Sequence, residues 1–170
     1  MELFVVVHPY FTPETKQWYR KNLNSLYMAG PRMIVLEELN RLDSTRTAIL
    51  EANPKAVFSF IPTHRSSPVP LDGWKRLLDM IRELSPCLVG VCGCYFAYSE
   101  IFRNIGCVGT VYETIKKEIL ADISPVGIPR VEIDFSLVWR SDRINRRKIF
   151  TPADTCRVCG KKVTLSRDRE

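Results

Sequence analysis

This sequence lacks most of the signatures that would assign a function at sight. No G-x-G-x-x-G and no Walker pattern follows any apolar run, so no nucleotide cofactor held by a glycine-rich loop is indicated. A non-standard anion site at a helix start, for instance near Thr12 or Ser99, stays open. Long hydrophobic runs are missing too. Met1–Val7 is apolar but carries Glu2 and meets His8-Pro9 at once, too short for a signal core or a membrane span. The expectation is a cytoplasmic protein with no membrane partner. Without a secretory signal, and with four of the six cysteines in or beside apolar runs, reduced thiols or metal ligands are expected rather than disulfides. There is no internal repeat. Histidine is scarce, limited to His8 and His64.

What is present suffices for one core. A chain of 170 residues that is 45% hydrophobic can bury a single α/β domain, expected over residues 1–139, with a tail at 140–170. The net charge of +6 divides unevenly: residues 1–139 hold 15 basic and 15 acidic side chains, so the whole excess falls in the tail. A neutral body with a basic appendage points to an acidic partner for that appendage, or to a plain solvated terminus.

Leu3–Val7, Arg32–Leu36, Ala56–Ile61 and Cys87–Val91 are short valine- and isoleucine-bearing runs of the kind buried on both faces of a parallel sheet. Between them lie helix signals. Thr12-Pro13-Glu14 opens a helix that Gly30-Pro31 ends, and Thr45–Ala52 follows, with Asp43 or Ser44 as its cap. Asp72 is the expected cap of a third helix, whose apolar stripe is Trp74, Leu77, Leu78, Ile81 and Leu84. Further on, a short helix over Ser99–Arg103, a fifth strand over Cys107–Tyr112 and a helix over Glu113–Ile123 are expected. Val131–Trp139 alternates at period two, which suits a final edge strand, open to antiparallel pairing or to exchange between subunits. The fold class is therefore α/β: an open, mostly parallel sheet of about five or six strands, helices on both faces in three α/β/α layers, and right-handed crossovers.

Such sheets take ligands outside the carboxyl ends of their strands. His8 follows the first strand, His64 the third, and Cys92 and Cys94 the fourth, so both histidines and two thiols fall at that edge. A Cys–His pair does nucleophilic work, the thiolate attacking while the imidazole carries the proton. If the third and fourth strands are neighbours, His64 and Cys94 come within reach. A solvent-exposed loop histidine and a cysteine acting as a small hydrophobe are the plain structural alternative.

The order strand, His64, helix, strand, Cys94 resembles the core of the caspase-like cysteine peptidases, the group of legumains, gingipains and CHAT domains. Val57-Phe58-Ser59-Phe60-Ile61-Pro62-Thr63-His64 corresponds to the histidine strand, and Leu88-Val89-Gly90-Val91-Cys92-Gly93-Cys94 to the run ending in the nucleophile. The resemblance implies a cysteine hydrolase with His64 as acid/base and Cys94 as nucleophile, with His8 and Cys92 as additional site residues. Two positions depart from the pattern. Arg65 stands where the family has glycine after the histidine, and the 30-residue interval from His64 to Cys94 is short. A caspase-like scaffold without peptidase activity fits the same residues.

Cys156-Arg157-Val158-Cys159-Gly160-Lys161-Lys162 resembles one knuckle of a zinc ribbon, in which a tight turn aims two thiolates at one Zn²⁺. Only two of four ligands are present, so Cys156 and Cys159 need a second pair, from another subunit or from cysteines of the body. Arg143, Arg146, Arg147, Lys148, Lys161 and Lys162 surround the knuckle and suit nonspecific contact with nucleic-acid phosphates or with a partner. Phe150 is the only aromatic after Trp139, so base stacking has no support. Two function classes follow: a cysteine hydrolase, or a non-catalytic binding module whose zinc-stabilised tail meets nucleic acid or a partner subunit. A homo-oligomer formed through the edge strand or the tail is compatible with either.

Overall fold

The computed structural model of the chain describes residues 1–9, 13–94, 106–121 and 129–139. The strands are β1 (Glu2–Val7), β2 (Arg32–Glu38), β3 (Phe58–Thr63), β4 (Leu88–Cys94) and β5 (Arg130–Trp139). The helices are α1 (Pro13–Ala29), α2 (Leu42–Ala52), α3 (Lys75–Leu84) and α4 (Gly106–Ala121). The five strands form one sheet in the order β3-β2-β1-β4-β5, and every pairing is parallel. β5 thus lies at an edge, as its alternation suggests, and runs parallel to β4.

β1 is the centre of the sheet, and its sequence explains why. Leu3, Val5, Val6 and Val7 are all buried, as are Met33 to Leu36 of β2 beside it, the composition of strands covered on both faces. α1 packs on α2 and α3 on α4. Right-handed crossovers put the first pair on one face, because β1, β2 and β3 progress outward, and the second pair on the other, because the chain then returns across the sheet to β4 and β5. Three layers result. Among the described residues no helix is long and apolar enough to cross a membrane.

The structure differs from the sequence expectations at particular elements. Cys107–Tyr112 is not a strand but the first part of α4. The run is rich in β-branched residues, yet Val108, Val111, Tyr112, Ile115 and Ile119 continue one stripe at helical spacing, and all five are buried. Thr110 and Thr114 accommodate to the helix by donating their hydroxyls to the carbonyls four residues back, at 2.8 Å each. α2 starts at Leu42, three residues before the expected Thr45, and neither Asp43 nor Ser44 caps it; the Ser44 hydroxyl instead donates to the Arg41 carbonyl. Asp72 does not cap α3, whose capping position is Trp74. β2, β3 and β4 run on to Glu38, Thr63 and Cys94, and β3 starts at Phe58 and not at Ala56. Finally, the alternation of β5 is interrupted: Val91 pairs with Ile133 but Gly93 pairs with Val138, so β5 bulges, and Leu137 and Val138 are both buried.

The expected helix Ser99–Arg103 lies outside the described residues, as does the whole of 140–170, with Cys156, Cys159, Arg143, Arg146, Arg147, Lys148, Lys161 and Lys162.

Candidate functional site

The neighbouring strands β1 and β4 send their onward connections to opposite sides, β1 through α1 to β2 and β4 through α4 to β5. The crevice between the carboxyl ends of β1 and β4 is therefore the switch point of the sheet. Gly93 lies opposite Val7, which places His8 and Cys94 one residue further along two neighbouring strands. The two backbones approach so closely that a Cβ on Gly93 would stand 2.1 Å from the Val7 carbonyl oxygen, and Gly93 holds φ +117°. Only glycine closes the sheet here.

His8 ends β1 in the left-handed region, at φ +44°, and its N–H donates to the Leu36 carbonyl at 2.8 Å. A residue with a Cβ is strained in that conformation, and such strain collects at functional sites. The ring reaches over the end of β2 to β3, where Nε2 and the Thr63 hydroxyl share a hydrogen bond of 2.8 Å. Both residues are buried. Burial brings the imidazole down to about 4, a fall that Arg41 reinforces and Glu38 opposes. At neutral pH His8 is an uncharged ring with a fixed hydroxyl partner.

Glu37 and Glu38 finish β2 at the same edge, and both are buried. One Glu37 oxygen accepts from the Glu38 N–H at 3.0 Å and the other from the Thr45 hydroxyl at 2.9 Å, which ties β2 to α2. Burial pushes the Glu37 carboxyl up to about 7 against those two hydrogen bonds. Glu38 holds the loop after β3: Oε1 accepts from the Ser66 N–H at 2.7 Å, while Oε2 lies 3.8 Å from the Arg41 guanidinium. Ser66 also has a positive φ, +53°.

Cys94 is 4% exposed, and burial pushes its thiol up to about 12, helped by Cys107 and Glu37. Cys107, at the start of α4, is raised to about 11 by burial and then by Glu38. Cys92 is fully buried within β4 and shifted up further, by burial first and then by Asp134. None of these thiols has the electropositive, solvent-reachable setting that makes a thiolate at neutral pH.

His64 is exposed in the loop after β3, its N–H donating to the Val69 carbonyl. The pairing of His64 with Cys94 required β3 and β4 to be adjacent. Instead β2 and β1 lie between them, which separates the strand ends by roughly 14 Å at the usual strand spacing. The crossover through α3 passes over the sheet instead of stepping to the next position, and it brings His8, not His64, beside Cys94. His8 and Cys94 are thus the two expected residues that the fold brings to one crevice.

The sequence reading missed Glu37, Glu38 and Thr63. Their signal was available: two carboxylates directly after Met33-Ile34-Val35-Leu36 stand at the carboxyl end of a strand. Among the described residues, no group of three or more histidine, cysteine or acidic side chains could hold a metal ion. Comparison with protein-family models, with curated proteins and with solved structures finds no match to this chain.

Proposed function

We propose that this chain is an α/β binding module that takes a ligand at the carboxyl edge of its sheet. Its basic segment 140–170 makes a second contact, with nucleic-acid phosphates or an acidic partner subunit, and a Zn²⁺ held by Cys156 and Cys159 stabilises that segment. The observation that carries binding over catalysis is the state of the edge. Cys94 is buried with its thiol pushed up to about 12, His8 is buried, pushed down to about 4 and hydrogen-bonded to Thr63, and Glu38 is tied to Ser66. A thiol pushed up that far by burial is a poor source of thiolate at neutral pH. A neutral imidazole, a hydroxyl and a thiol suit an uncharged polar group of a ligand. Arg143, Arg146, Arg147, Lys148, Lys161 and Lys162 supply the charge for the second contact.

The test of the tail uses the full chain. Metal analysis is expected to find zinc, lost on Cys156→Ser with Cys159→Ser. Fluorescent single- and double-stranded oligonucleotides are expected to bind with an affinity that falls as salt rises, and less steeply after Arg146→Ala and Arg147→Ala. Zinc-free protein together with salt-independent or absent binding overturns this part of the reading.

A second reading, a cysteine hydrolase on a caspase-like scaffold, is favoured by one observation: Cys94 and His8 follow neighbouring strands at the switch point. Iodoacetamide labelling of Cys94 across pH 6 to 10 separates the two. The binding module predicts labelling far slower than that of a free thiol at pH 7. Labelling faster than a free thiol there makes Cys94 a nucleophile, with His8 as its base.

A further inference from the structure

We draw no further inference here: the strongest candidate, the apolar groove of about 480 Å³ at the amino edge of the sheet, between the end of α1 and the starts of β1, β2 and β3 and lined by Phe4, Leu26 and Val57, carries nothing because nothing in the structure shows what covers it.

Discussion

The two edges of this sheet are built from opposite materials. At the carboxyl edge lie His8, Glu37, Glu38, Thr45 and Thr63, which include all the buried polar or charged side chains among the described residues. At the amino edge the groove between α1 and the strand starts is mainly apolar, and the large side chains left in solvent there include Val57 at 51% exposure. Burying a titratable group is unfavourable by several kcal/mol unless it is neutralised or hydrogen-bonded, whereas an exposed valine costs almost nothing. The carboxyl edge carries most of that burden and adds a left-handed histidine, while nearer the amino edge the buried Glu132 Oε2 is matched by Arg130 at 3.4 Å.

The sharpest way to break this contrast is to substitute a glycine at each edge. Gly93→Ala puts a Cβ against the Val7 backbone and should destabilise by roughly 3 kcal/mol or more, or leave no folded protein. Gly30→Ala, at the amino edge, has φ +72° but nothing within 4 Å, so about 1 kcal/mol is expected. Urea unfolding of the two variants compares them directly. Equal losses would mean that the close approach at the carboxyl edge is not a constraint on the fold.

The next effect concerns pH. The folded pKa of His8 lies below its unfolded value, so its contribution is intact above pH 6.5 and is lost as pH falls towards 4. Glu37 is the reverse case, with a raised folded pKa, so its contribution is intact below pH 4.5 and is lost as pH rises through 7. Between pH 4.5 and 6.5 the two slopes oppose, and the native protein should show a flat stability. Glu37→Gln unmasks the histidine, with stability falling on acidification by up to about 3 kcal/mol. His8→Asn, chosen because asparagine tolerates a positive φ, unmasks the glutamate, with stability falling on alkalinisation by a similar amount. Denaturant midpoints over pH 4 to 8 measure both. Parallel curves for the three proteins would remove the pair from the account.

The smallest predicted effect is local. Thr63→Val removes the hydroxyl that meets His8 Nε2 and leaves a buried ring nitrogen without that partner, for about 1–3 kcal/mol. Val57→Thr at the amino edge should stay within about 0.5 kcal/mol. If the two cost the same, the hydrogen bond at the carboxyl edge adds nothing beyond ordinary surface chemistry.

The fold was readable from the sequence where the hydrophobic period was unambiguous. Four short apolar runs became four parallel strands, and Leu77, Leu78 and Ile81 face the core as their spacing requires. Cys107–Tyr112 was not readable, because six β-branched, aromatic and small residues satisfy both periods and only the continuation through Ile115 and Ile119 decides between them. The site was half readable. A strand end predicts the edge on which a side chain falls, so His8 and Cys94 were placed correctly at the carboxyl edge. It does not predict which strands are neighbours, since a right-handed crossover of ordinary length reaches either the next position or one across the sheet. His64 reaches Cys94 only if β3 and β4 are neighbours, and the strand order puts β2 and β1 between them. Glu37 and Glu38 were lost for a simpler reason, because the expected strand stopped at the last apolar residue.

The strand order also has a consequence for how the molecule comes to exist. β1 pairs with β2 about thirty residues on, and β2 with β3 at similar range, while β1 meets β4 only across an interval of 86 positions. Loop closure favours the nearer pairings. His8, Glu37, Glu38 and Thr63 all lie in the β1-β2-β3 half of the sheet, which these nearer pairings hold together, whereas Cys94 joins only through the longer closure. One side of the switch point therefore rests on short closures, and the other, where Gly93 seats against Val7, on a long one.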